Sequence, residues 1–211
     1  VEDILRIYGY NNVEIPTQLK SSLTVQGEED KHYHTQNIVA EQLVGEGFME
    51  ILNNSLTKAS YYTDFDLNKY PDEHTVKVMN PLSADLGVMR QTMLFGGLES
   101  VSRNINHKSA NLKFFEVGNT YIYNKEKWDA ENPIKGYNQE GHISLFITGK
   151  RVEGNWAHAD EQSSIYELKA VVENILRRVG MPFNNVVVKH SDNNIFSKGV
   201  QYETRAGKVL V

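Results

Sequence analysis

The chain has 211 residues, 22 Lys and Arg against 27 Asp and Glu, a formal net charge of −5 and no cysteine. With 40% apolar and 23% charged residues it can build a core and is too apolar for disorder. The missing cysteine excludes a disulfide scaffold, a thiolate zinc site and a cysteine nucleophile, no apolar run is long enough to span a membrane, and the acidic balance argues against a dedicated nucleic-acid clamp.

At roughly 100–200 residues per domain, one large domain or one plus a fragment is expected. The chain opens in helical rhythm, with Ile4, Ile7 and Tyr8 at i, i+3, i+4 and Gly9 available as a left-handed cap. Residues 11–30 read as a linker in which Pro16 extends Ile15, with a short strand at 22–25. Residues 34–47 read as an amphipathic helix with the stripe Ile38, Val39, Leu43 and Val44, ended by Gly45 and Gly47. Residues 48–56 then alternate as a strand with both faces partly covered, and a helical turn is expected at 60–62.

Residues 75–79 are extended and lead into the Asn80-Pro81 turn. Leu94, Leu98, Val101 and Ile105 step by a helix period and mark a core face. The clearest strands are 112–123 and 142–149, joined by a polar loop. The best-marked helix begins at Ser164, where Ser164-x-x-Glu167 matches a capping box. Its inward residues are Ile165, Leu168, Val172, Ile175, Leu176 and Val179; Gly180 closes it and Pro182 prevents continuation. A strand at 186–189 and hairpin arms at 200–204 and 209–211 complete the pattern. Both ends read as cuts inside a longer protein. Helices interspersed with neighbouring strands specify an α+β fold with a largely antiparallel sheet.

Generic catalytic signatures are absent: there is no phosphate-cradling P-loop and no G-x-S-x-G elbow. The seven histidines are scattered, and the pair His32 and His34 lacks metal-ligand spacing. Trp156, close to His158, has two readings, a core anchor or a ligand contact. Glu2 and Asp3 also have two: adjacent carboxylates can take part in chelating Mg²⁺, or they favour the positive end of a helix dipole.

Four blocks, in order, carry a resemblance. Glu2 to Asn12 followed by Ile15-Pro16 resembles the "EE-x-x-R-x-YGY-x-x-IP" stretch of the bacterial phenylalanyl-tRNA synthetase beta subunit family. Asn80-Pro81-Leu82-Ser83 with Met89-Arg90-Gln91-Thr92-Met93-Leu94 resembles its "NPLS…MR-x-SLLPGLL" block. Asn104-Ile105-Asn106 with Phe114-Phe115-Glu116-Val117-Gly118 resembles "N-x-N…LFEIG", and Asn155-Trp156 with Tyr166-Glu167-Leu168-Lys169 resembles "NW…DFFDLKG". Departures are Phe95-Gly96, where the family has a proline, and residues 190–194, where a family arginine is missing.

The resemblance implies that residues 1–20 are the tail of a preceding domain and a linker. Residues 21–211 would be a class II aminoacyl-tRNA synthetase-like module, an antiparallel sheet flanked by helices, cut at its C-terminus and without catalytic residues. It implies a catalytic alpha subunit that uses ATP, an α₂β₂ heterotetramer, tRNA(Phe) bound by the holoenzyme, and a cytoplasmic location with no membrane contact. A class II site clamps ATP with two arginines, because a bent triphosphate must be neutralised. One usually lies two residues before a strand glutamate; here that slot, before Glu116, is Phe114, and Glu116 then reads as structural. The family's Mg²⁺ site maps onto Glu2 and Asp3, with its other ligands outside this chain. The alternatives are a self-sufficient class II ligase and a nucleic-acid module. The expected partner face is the helix of 34–47 with 48–56, part of its apolar stripe left exposed.

Overall fold

The computed structural model describes residues 1–15, 17–18, 27–65, 67–181, 183–191 and 194–211. The strand expected at 22–25 and the Pro182 stop lie outside the described residues. Two compact units divide the chain, residues 1–33 and 34–211.

Glu2–Tyr8 forms α1, with Glu2 and Asp3 in its first turn and Arg6 in its last. Acid at the N-terminus and base at the C-terminus both oppose the helix dipole. Gly9 donates its N–H to the Leu5 carbonyl at φ +91° and ψ +121°. That ψ is extended, so the cap is not the left-handed one expected; the chain passes straight into a 3₁₀ turn at Tyr10–Asn12.

The helix expected at 34–47 is longer: α2 spans Glu28–Gly45. Its apolar stripe marks only the part that packs, while the polar residues of 28–33 join by propensity. Gly47 at φ +86° ends it. The Gly47 N–H bonds the Val44 carbonyl and the Phe48 N–H bonds that of Leu43, the paired bonds of a Schellman motif. Gly45 is therefore the last helical residue and not the breaker.

The strand expected over 48–56 is broken into β1, Met49–Glu50, and β2, Leu56–Thr57. Between them the Asn54 side chain accepts the Leu56 N–H at 2.9 Å, a local bond that competes with a continuous ladder. After α3 (Ser60–Thr63), residues 75–79 contribute only an isolated bridge, Lys77 to Val88, among the described residues. Strand β3 (Val88–Met89) pairs antiparallel with β2. Helix α4 covers Leu94–Asn106. Its expected core face is only partly inward, since Val101 is buried while Leu98 and Ile105 are about half exposed.

The long strands match expectation in type. Strand β4 is Leu112–Tyr123 and β5 is Tyr137–Thr148, which starts earlier than its apolar part. They pair antiparallel without a register shift from Leu112 opposite Thr148 to Tyr123 opposite Tyr137. Strand β1 joins the other edge of β4 in parallel, giving the order β1-β4-β5. A small hairpin unforeseen in the sequence, β6 (Lys150–Val152) with β7 (Glu161–Gln162), follows; its strands are too short and polar to show a period. Helix α5 is Ile165–Arg178, ended by Gly180 at φ +79°. The expected capping box does not form: the Ser164 side chain makes no cap bond, and Glu167 reaches across to Lys113 of β4 at 2.8 Å. A charge-assisted bond to a neighbouring strand wins over a local one. Val171 and Leu176 are the buried residues of α5, whereas Ile165 and Val179 are exposed. Strands β8 (Val186–His190) and β9 (Val200–Thr204) pair antiparallel, and the 209–211 arm adds a bridge from Val209 to Glu203.

Alternation along β4 divides the core between two faces. Phe115 packs with Val39 and Leu43 of α2, Phe48, and Val171 of α5. Phe114 and Leu112 point the other way and pack with Val101 of α4, Phe146 and Ile51. Gly97 lets α4 approach: a Cβ there would overlap the Phe146 ring. Gly97→Ala is therefore expected to destabilise the fold by about 1–3 kcal/mol, measured by urea unfolding; an unchanged midpoint would show that α4 can lift off the sheet freely.

Candidate functional site

Next to Phe114 on β4 stands Glu116, fully buried. Its partner Arg90, from the turn after β3, is 4% exposed. The Arg90 Nη1 donates to Glu116 Oε1 at 2.7 Å, and Nε donates to the Asn119 carbonyl at 2.9 Å. Asn53 adds two donors to the same carboxylate, its backbone N–H at 3.2 Å and its Nδ2 at 2.7 Å. The Asn53 Oδ1 in turn accepts Ser100 Oγ of α4 at 2.7 Å. Gly118 leaves room for the guanidinium, because a Cβ there would overlap Arg90 Nη2. Gln91, also buried, donates through Nε2 to Thr75 Oγ1 at 2.7 Å and to the Pro71 carbonyl at 3.0 Å.

Two clefts flank this network. The larger, ≈ 670 Å³, lies among α3, α4 and the 84–86 turn. Its walls carry Lys58, Asp85, Glu99, Arg103 and His107. Lys58 is balanced by Asp85 at 3.9 Å and Glu99 at 3.8 Å. Tyr61 stacks on Phe95 with centroids 4.4 Å apart and donates to Glu99. Burial, and then the Glu99 hydrogen bond, push the Tyr61 phenol up to about 12. The smaller cleft, ≈ 260 Å³, lies on the sheet beside Gln91, Thr120, Ile122, Glu140, His142 and Ser144. Neither lysine nor arginine lines it among the described residues.

The residues singled out in the sequence are scattered. Glu2 and Asp3 sit exposed in the first turn of α1, with Glu2 held by Arg6 at 2.7 Å. Among the described residues no group of three or more His, Asp or Glu is arranged to hold a metal. Two adjacent carboxylates, one already ion-paired, do not make a hard-cation site on their own. Phe114 is 4% exposed and belongs to the core. Trp156 is not a core anchor: it is 99% exposed, on the loop between β6 and β7. In the stripe of α2, Val39 and Leu43 are buried, Ile38 is half-buried and Val44 is exposed. Sequence reasoning assigned Arg90 and Asn53 no structural role. Their signal was faint: an arginine between Met89 and Gln91, and an asparagine pair interrupting an apolar run.

A family described as "Phenylalanyl tRNA synthetase beta chain CLM domain" matches residues 15–211. Over 210 residues the chain is 56% identical to the "Phenylalanine--tRNA ligase beta subunit" of Bacteroides thetaiotaomicron, covering 100% of this chain and 25% of that protein. The protein of the same description from Porphyromonas gingivalis is 45% identical with the same coverage. The chain thus spans about a quarter of the length of these relatives. A pyrrolysyl tRNA synthetase of Desulfitobacterium hafniense superposes with TM-score 0.53 at 14% identity, over 82% of this chain and 54% of that one. A Bacillus halodurans ATP phosphoribosyltransferase regulatory subunit/histidyl-tRNA synthetase gives 0.52 at 12%, over 84% and 42%. The fold is therefore the α+β fold of class II synthetase-like domains.

Two outcomes are expected. Arg90→Met alone should cost about 3–5 kcal/mol, because it strands a buried carboxylate, while Arg90→Met with Glu116→Leu should cost clearly less than the sum of the single changes; additive losses in a double-mutant unfolding cycle would refute the coupling. For Tyr61, the folded phenol titrates above its ordinary value of about 10, so its contribution is complete below about pH 10 and is lost as pH rises toward about 12. Tyr61→Phe should flatten that alkaline limb of the stability profile.

Proposed function

The chain belongs to the phenylalanyl tRNA synthetase beta chain CLM domain family, and we propose that it serves as the noncatalytic synthetase-like module of a phenylalanine-tRNA ligase beta subunit. In this reading it supports a catalytic alpha subunit during the ATP-dependent charging of tRNA(Phe). The observation that carries it is the state of Arg90. Clamping a bent triphosphate takes free guanidinium groups aimed at developing charge. Arg90 has its Nη1 on Glu116 and its Nε on a backbone carbonyl, 4% exposed. The smaller cleft, on the sheet face, is lined by Ile122, Thr120 and His142, with neither Lys nor Arg among the described residues; the larger is lined by Arg90, by Lys58 between Asp85 and Glu99, and by Arg103. Phe114, in the slot expected for a strand arginine, faces the core.

The partner face is supported by the edge of the sheet at β1. The centre of the α2 stripe packs on its own sheet through Val39 and Leu43, so the proposed contact narrows to Val44 at 59% exposure, Met49 at 54% and Leu52 at 90%. Apolar residues exposed beside a sheet edge suit a large obligate interface. The assembly proposed is an α₂β₂ heterotetramer. Glu2 and Asp3 are proposed as two carboxylates of a Mg²⁺ site completed by oxygens from outside this chain. Bound there, the ion would supply fixed positive charge, and these two residues would hold it. No described helix is long and apolar enough to cross a membrane, and the proposed place of work is the cytoplasm.

The decisive experiment mixes the full-length subunit with the catalytic subunit of the same organism. Amide exchange across residues 34–56 should slow on mixing, and ATP–pyrophosphate exchange should be absent until the partner is added. Exchange activity by the beta subunit alone would favour a self-sufficient class II ligase. Unchanged protection at 34–56 would remove the proposed contact face.

A further inference from the structure

The smaller cleft cannot neutralise a triphosphate, and the same composition suits a ligand of the opposite charge. Strand register builds its floor. Thr120 and Ile122 share one face of β4. Opposite Thr120 on β5 stands Glu140, with His142 two residues on, on the same face. Gln91 and Met93, from the segment between β3 and α4, close the cleft from the side.

Two of these side chains are withdrawn from solvent yet leave oxygen atoms unpaired. Gln91 is 3% exposed and Thr120 4%. Gln91 uses both Nε2 hydrogens, on Thr75 Oγ1 at 2.7 Å and on the Pro71 carbonyl at 3.0 Å. The Pro71 carbonyl can only accept, so the amide orientation is fixed, and Oε1 is an acceptor that no donor reaches among the described residues. The Thr120 hydroxyl likewise has no partner among the described residues. Buried polar atoms are ordinarily paired, and two left open in one cleft mark a place where a bound molecule supplies the missing bonds.

The chemistry of the lining selects that molecule. Gln91 Oε1 accepts only, and the Thr120 hydroxyl accepts or donates. The Glu140 carboxylate accepts from the neutral amide of Asn138 at 2.8 Å and lies 3.6 Å from His142 Nε2. Neither lysine nor arginine lines the cleft among the described residues. The Arg90 guanidinium borders this face over Gly118, and Glu116 offsets its charge at 2.7 Å. A phosphate or carboxylate ligand would therefore meet Glu140 with no free cation to balance it. A hard metal ion wants six or more oxygens, and no group of three or more His, Asp or Glu is arranged for one among the described residues. A primary ammonium has three donors, a positive charge and no acceptor. Met93 and Ile122 offer an apolar wall to a short hydrocarbon body. The volume of ≈ 260 Å³ keeps the ligand small; at about 30 Å³ per molecule it would hold about nine waters. We propose that this cleft binds a small primary alkylammonium without a carboxylate, its N–H groups donating to Thr120 Oγ1 and Gln91 Oε1 and its charge facing Glu140.

The test titrates isoamylammonium into the full-length subunit by calorimetry. Isoamyl alcohol and leucine are the controls, one lacking the charge and the other adding a carboxylate to the same skeleton. The ammonium should bind with Kd of about 1 mM, and both controls at least about tenfold more weakly. Thr120→Val should weaken the ammonium at least about tenfold, because a bond to a charged donor is lost. The unfolding midpoint of that variant should not fall, since the hydroxyl has no protein partner to lose. Glu140→Gln should weaken binding about threefold, as suits an exposed charge. Absence of saturable ammonium binding means a cleft filled by water alone and overturns the proposal. Equal binding by the alcohol, or undiminished binding by Thr120→Val, overturns it too. None of these failures touches the beta-subunit reading, which needs only that the cleft lacks cations.

Discussion

A guanidinium and a carboxylate withdrawn together from water place an unusual demand on a chain of this size. Taking Arg90 and Glu116 inside is tolerable only if their remaining hydrogen-bonding capacity is met. The neighbourhood is arranged accordingly. Asn53 must stand at the end of the β1 segment to give the carboxylate two further donors. The Asn119 carbonyl must face inward to take Arg90 Nε. Gly118 must lack a side chain, and Ser100 must bring α4 close enough to hold Asn53. One charge pair therefore joins the β1–β2 turn, the end of β3, the middle of β4 and the first turns of α4. It also gives a reason why the 48–56 run is not one strand.

The same pair bears on function. A charge that completes an internal network is unavailable to a triphosphate, however close a cleft lies. In a synthetase-like fold the polar machinery can serve substrate or structure, and Arg90, although it lines the larger cleft, is engaged by Glu116 and the Asn119 carbonyl. Sheet, helices and turns can form without any chemistry being performed there. Fold alone does not imply activity.

Some apolar side chains stay exposed on the surface. Val44, Met49 and Leu52 cluster in sequence at the β1 edge, and Trp156 is exposed on the loop between β6 and β7. In the first, Val44 lies on a helix that buries Val39 and Leu43 against its own sheet, and Met49 and Leu52 follow it along the chain. The second is an indole on a loop whose hydrogen bonds run through Asn155, His158 and Asp160.

Much of the architecture was legible in the residues. The strands read at 112–123 and 142–149, the helix faces at 94–105 and 165–179, and the α+β class follow from apolar period, β-branched content and a glycine stop, because these are local properties of a chain. The four ordered blocks carried the family. The site was less legible. Glu116 could be read as structural only through the apolar Phe114 two residues before it, and its partners lie 26 and 63 residues away in the chain. The capping box at Ser164 failed because Lys113, on another element, competes for Glu167. Trp156 was ambiguous because composition records an indole and not its exposure. Local sequence thus determined the long strands, the two later helices and the family they compose. Only tertiary structure decided which charges neutralise each other and which apolar groups stay wet, since both depend on distances that folding alone creates.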